Sequence, residues 1–131
     1  GKTELNIIND KDGTPTYTHD FAANVKLLLE NEFWGVYNMV CGGLTSRLAV
    51  ATELLQILHL ENKVKINEVD SGFFKKEYFA ERPASEQLVN TKLNLRQLNS
   101  MRDWRISLKD YIHTYFKEYI ASQEVTQYSA T

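Results

Sequence analysis

Short β-rich runs alternate with helical periodicity along the first half of this sequence, and no other feature narrows its possible folds as far. Leu5, Ile7 and Ile8 form an apolar strand signal that ends at Asn9 and Asp10. Residues 10–15, with Asp12, Gly13 and Pro15, are a dense turn cluster. Thr18 is placed to cap a helix, Asp20 falls in its first turn, and Phe21, Val25, Leu28 and Leu29 share a face at 3.6-residue spacing. Residues 33–40 are β-rich and too short for a helix, which predicts a buried strand. Gly42 and Gly43 make a loop, and Thr45 or Ser46 caps a second helix with Leu48, Ala51, Leu55 and Leu58 on one face. Residues 63–69 alternate through Val64 and Ile66 as a strand, and Ser71-Gly72 turns the chain.

The second half is more helical. Residues 73–83 are aromatic and irregular, and residues 91–98 read as a short helix. Residues 104–120 read as one long helix: Leu108, Tyr111, Ile112, Tyr115, Phe116 and Tyr119 follow the spacing of an apolar face. The expected class is α/β, with an α+β-like arrangement of one small sheet and flanking helices. No repeat or linker divides the chain, so residues 1–120 read as one domain and residues 121–131 as a polar tail expected to be disordered.

Composition removes several functions. With 131 residues, 43% apolar and 24% charged, the chain can build a core. No run approaches the roughly 18 apolar residues of a membrane span. Fifteen basic against 17 acidic residues leave no basic footprint for nucleic acid. A single cysteine, Cys41, excludes an internal disulfide and points to a reducing, cytoplasmic setting. Cys41 lacks an activating neighbour and reads as a buried or loop thiol. His19, His59 and His113 lie in separate elements without ligand spacing, so no metal is expected. The start at Gly1, a few residues before a strand, predicts a segment cut from something longer.

Redox chemistry is equally unsupported by the residues alone. There is no G-x-G-x-x-G, and no Tyr is followed four residues later by Lys. Hence no residue of this chain is expected to be catalytic or to bind a cofactor. Three clusters could bind a ligand. Residues 12–20 could face a cleft with their hydroxyls, or serve only as turn and helix cap. Arg82, held extended by Pro83, could present its guanidinium to a phosphate, or pair with Glu81. Phe73, Phe74, Tyr78 and Phe79 could stack on a ring, although such runs more often form core. Met101-Arg102-Asp103-Trp104 reads as packing with a local ion pair.

Taken in order, these segments resemble a family. Residues 10–22 (DKDGTPTYTHDFA) are similar to the D-x-x-G-x-P-T-Y-T-x-D-L-A segment of dTDP-4-dehydrorhamnose reductases, which are extended short-chain dehydrogenase/reductases. Residues 35–38 (GVYN), 43–47 (GLTSR), 80–83 (AERP) and 104–111 (W-R-x-x-L-x-x-Y) resemble further segments of that family in the same order, across roughly residues 5–117. The chain departs from the family's R-P-x-N-S-x-L-D at Ser85, Glu86 and Val89, which leaves the nucleotide sugar open. It has no arginine at residues 14–17, where the related epimerases carry one.

The resemblance implies the C-terminal, substrate-binding part of a Rossmann-type enzyme that uses NADPH to reduce dTDP-4-dehydro-L-rhamnose to dTDP-L-rhamnose, in cell-surface polysaccharide synthesis. It implies that Arg82 holds the nucleotide diphosphate, with Thr16 and Tyr17 near the sugar or cofactor edge. It also implies a partner, the N-terminal Rossmann domain carrying the Gly-rich loop and the Tyr/Lys pair, without which this chain is expected to be inactive. A piece of a two-lobe enzyme exposes the face that met the other lobe, so a homodimer is expected. Two other readings stay open: another nucleotide-sugar reductase or epimerase, and a non-catalytic subunit resembling the regulatory subunit of methionine adenosyltransferase.

Overall fold

The computed structural model describes residues 2–76, 80 and 82–128, the last six of these as backbone only. Strand β1 is Glu4–Ile8 and β2 is Lys65–Val69. They pair in parallel, with Glu4 opposite Lys65 and Ile8 opposite Val69. Parallel pairing requires a long crossover, and helices α1 (Thr18–Glu30) and α2 (Arg47–Ile57) supply it. The sheet has two strands among the described residues, and such a ribbon is marginal alone. Helix α2 packs on β1 and supports it. A 3-10 turn over Ser71–Phe74 leaves β2 where the sequence predicts a turn. Then come α3 (Thr91–Leu95), α4 (Trp104–Tyr115) and α5 (Lys117–Tyr128). This is the expected class: a small sheet with flanking helices.

The core gathers at Cys41, Met101 and Trp104, all buried, with Tyr17, Met39, Val50 and Leu108 packed around them. Of the two settings expected for Cys41, loop or buried thiol, its side chain takes the buried one. The junction at residues 101–104 contributes core on one side and polar ties on the other. Asp103 caps α4 by accepting from the Arg105 N–H at 2.9 Å, and Arg102 pairs with Asp20 and Asp110 instead of its neighbour. The local ion pair read from the sequence is thus replaced by two distant ones.

Residues 33–40 are not a strand. Val36 is 87% and Trp34 72% exposed. Among the described residues no strand lies alongside to take their backbone groups, and a side chain substitutes. The Asn90 amide accepts from the Val40 N–H at 3.0 Å and donates to the Val40 carbonyl at 2.7 Å. Phe33 and Tyr37 are held by cations: Arg96 lies over the Phe33 ring at 4.2 Å and Lys92 over Tyr37 at 4.6 Å.

Helix α1 also departs from its pattern. Tyr17, not Thr18, occupies the N-cap position, and no side chain caps it. The buried stripe is Asp20, Asn24 and Leu28, while Phe21 and Leu29 are about half exposed. Asn24 Oδ1 accepts from the Ser100 N–H at 2.8 Å and its hydroxyl at 2.9 Å, so a distant segment compensates the buried amide's oxygen, while its Nδ2 finds no partner among the described residues. The long C-terminal helix breaks at Phe116, whose φ of −124° lies outside helical geometry. Ile112 and Ile120 are buried there, whereas Tyr111, Tyr115, Phe116 and Tyr119 stay exposed. The α5 backbone is helical through Tyr128, across most of the polar tail.

Candidate functional site

Three loops meet at the end of the strand pair. The first follows β1. The Asp10 carboxylate accepts from the Ser71 hydroxyl at 2.7 Å and the Ser71 N–H at 3.1 Å, which ties it to the end of β2. Those bonds, the hydroxyl's first, hold the Asp10 carboxyl below its ordinary range. Asp12 then runs between the other two loops. It bridges antiparallel to Ser46 and parallel to Ser85. Its N–H donates to the Ala84 carbonyl, its carbonyl accepts from the Glu86 N–H, and the Gly13 N–H donates to the Thr45 carbonyl, each at 2.9 Å. The Thr14 hydroxyl donates to the Gly43 carbonyl at 2.8 Å.

The second loop ends at Ser46, whose hydroxyl accepts from the Ala49 N–H at 3.1 Å and caps α2. Gly43 has φ of +91°, and a Cβ there would lie 2.7 Å from an Asp103 carboxylate oxygen and 2.8 Å from the Trp104 ring. Only glycine fits. The third loop begins at Arg82, whose carbonyl accepts from Lys11 Nζ at 2.7 Å.

Together the loops border an open cavity of about 380 Å³. Lys11, Arg47 and Arg82 bring positive charge to it, and Asp12 and Glu86 bring negative charge. Pro15, Val50, Ala51 and Pro83 form apolar wall. Among the described residues, no carboxylate lies within ion-pair distance of Arg82 or Arg47. Glu81, the alternative partner for Arg82, lies outside the described residues. A guanidinium without a carboxylate partner among the described residues, in a partly apolar cavity, suits a phosphate or carboxylate group.

A second cavity of about 310 Å³ shares Thr14 with the first. Asn90, Asn94 and Asn99 line it, with Leu44, Leu88 and Val89. Its amides form a chain: Asn90 donates to the Asn99 side chain at 3.2 Å, and Asn99 donates to that of Asn94 at 2.6 Å.

Of the residues singled out in the sequence, Arg82 lines the first cavity. Thr16 is exposed beside the lining Pro15. Tyr17 turns into the structure, stacked on His19 at 4.9 Å between ring centroids. Burial raises its hydroxyl pKa above 10.0, with the Tyr115 hydroxyl and Asp110 adding to the effect. Neither Thr16 nor Tyr17 lines the first or the second cavity. In the aromatic run, Phe73 is exposed and stacks edge-on with Phe74, while Tyr78 and Phe79 lie outside the described residues. Sequence reasoning missed Lys11, Arg47 and the asparagine chain. Arg47 carried a signal, since a cation in a helix's first turn opposes the dipole. Among the described residues no cluster of His, Cys, Asp and Glu could hold a metal ion, and no helix is long and apolar enough to cross a membrane.

Comparison with known proteins agrees with this architecture. A dTDP-4-dehydrorhamnose reductase from Clostridium acetobutylicum is 30% identical and superposes with a TM-score of 0.81 over 86% of this chain. The reductase from Bacillus anthracis, solved in complex with NADP, gives 22% identity and a TM-score of 0.77 over 85%. That from Yersinia enterocolitica gives 22% and 0.77 over 88%, so these two support the fold alone. The chain spans 39%, 38% and 39% of those proteins. No curated protein sequence matches. The model of the RmlD substrate binding domain matches residues 1–117, which includes all three cavity loops and the core behind them, and the chain therefore belongs to that substrate-binding-domain family.

Proposed function

We propose that this chain is the substrate-binding part of an NADPH-dependent enzyme that reduces dTDP-4-dehydro-L-rhamnose to dTDP-L-rhamnose in the cytoplasm. The observation that carries this reading is the family match over residues 1–117. The cavity supports it, because Arg82 has no carboxylate partner among the described residues and can bind a nucleotide diphosphate through both guanidinium edges. Thr16, exposed beside Pro15, and Tyr17 belong on the sugar or cofactor side.

The turns that follow β1 and β2 lack closely spaced glycines, and they do not fit a dinucleotide cradle. NADPH, the hydride donor, would be held chiefly by the N-terminal part of such a protein. That the Bacillus anthracis relative was solved with NADP supports the cofactor's identity. The exposed Trp34, Val36, Leu88 and Val89 support self-association of the isolated chain. A strictly monomeric chain at all concentrations in ultracentrifugation would overturn that part.

The test of ligand class is an NMR titration of the labelled chain with dTDP, with NADPH as control. Saturable shifts at Arg82 and Lys11 with dTDP alone are expected. Shifts with NADPH alone would overturn the assignment of the cavity.

A further inference from the structure

Arg47 is the cation in the cavity that no local role explains. It is the first residue of α2 and exposed, with no carboxylate within ion-pair distance among the described residues. At that helix end a positive charge opposes the dipole, and the first turn holds no acidic residue to offset it. Ser46 already caps the helix. Neither helix stability nor pairing among the described residues places an arginine there.

Its setting does account for it. Arg47 opens α2 directly after the second loop and Arg82 begins the third, and both line one cavity. The two loops are joined through Asp12, which bridges Ser46 on one side and Ser85 on the other. Lys11 Nζ holds the Arg82 backbone through its carbonyl and adds a third positive charge. The lining thus carries three cations against the carboxylates of Asp12 and Glu86. Val50 and Ala51, on the turn of α2 after Arg47, contribute apolar wall, which strengthens a charge interaction beside it.

We propose that Arg47 is a specificity residue that works opposite Arg82, so that each guanidinium takes one phosphoryl group of a nucleoside diphosphate. Arg82 with one phosphoryl group would bind a monophosphate nearly as well. The second arm makes the cavity prefer a diphosphate. This rests on the nucleotide-sugar reading above and adds a residue and a selectivity to it.

The experiment is calorimetric titration of the full chain and of Arg47→Ala, Arg47→Lys and Arg82→Ala with dTDP, dTMP and inorganic pyrophosphate. Arg47→Ala is expected to weaken dTDP about tenfold, the worth of one charge-assisted pair, and dTMP less than about threefold. Arg47→Lys restores part of the loss, because an ammonium returns the charge without the fork. Unchanged thermal unfolding of Arg47→Ala separates lost binding from lost folding. If Arg82→Ala weakens dTDP and Arg47→Ala does not, the two-arginine arrangement is wrong and the nucleotide reading stands. If pyrophosphate binds through Arg47 while dTDP and dTMP do not, the nucleotide reading fails and the anion site stands. If none of the three binds, both fail.

Discussion

The Arg102 guanidinium holds one oxygen of the buried Asp20 carboxylate from two nitrogens, Nε at 2.8 Å and Nη2 at 2.7 Å. The other oxygen accepts from the buried Ser107 hydroxyl at 2.5 Å, and Arg102 reaches Asp110 at 2.9 Å. One arginine, just before α4, thus joins α1 to the middle of α4. Arg102→Ala leaves the buried Asp20 side chain without its cation. The expected loss is about 3 kcal/mol, at the low end for a broken buried pair because the guanidinium is over a third exposed. Urea unfolding measures it, and a loss below about 0.5 kcal/mol would place this triad among ordinary surface pairs.

Acid should weaken the fold in a defined window. Hydrogen bonding by Arg102 lowers the Asp110 pKa, and Ser71 lowers that of Asp10, both from 3.8. A carboxyl whose folded pKa is depressed contributes stability above its unfolded pKa and loses it as pH falls through the folded one. Thermal midpoints should therefore fall as pH drops below about 5. Asp10→Asn should flatten part of that decline, and an unaltered slope would show that the Ser71 bonds add nothing.

Alkali should act through Tyr17 with the opposite sign. Its folded pKa is raised above 10.0, chiefly by burial. The folded state therefore keeps its proton longer than the unfolded chain, and stability falls as pH rises past 10.0. Tyr17→Phe should show a smaller decline across that range when followed by circular dichroism.

Gly43→Ala should cost about 1–3 kcal/mol, because the backbone is left-handed there and the new methyl meets Asp103 and Trp104. Gly13→Ala is the control, since a Cβ at Gly13 meets nothing within 4 Å. Comparable losses at both positions would contradict the steric argument.

Ser46→Ala should destabilise by about 1 kcal/mol through loss of the α2 cap. The cavity loop continues from this cap, so dTDP affinity should fall as well. Ser46→Asp keeps a capping oxygen and should restore stability, while its charge beside Arg47 should weaken dTDP further.

The sequence by itself determined most of the strand and helix alternation, the segments that form β1 and β2, an α2 cap at Thr45 or Ser46 and the ordered motifs of the family. These depend on turn chemistry and on side-chain spacing along one segment, and both are local. Tertiary structure decided which polar groups go inside. Apolar spacing favoured Phe21 and Leu29 as the inner face of α1, yet Asp20 and Asn24 are buried because their partners Arg102, Ser107 and Ser100 stand 76 to 87 residues away. It decided the path of residues 33–40, whose β-rich composition finds the Asn90 amide where a neighbouring strand was expected. It also decided the cavity. Arg82 was visible as an arginine before a proline, but its convergence with Lys11 and Arg47 required three separate loops to be joined through Asp12. Burial of a charge or an amide is favourable only when its partner is already in place, and that partner is supplied by the fold, not by the neighbouring residues.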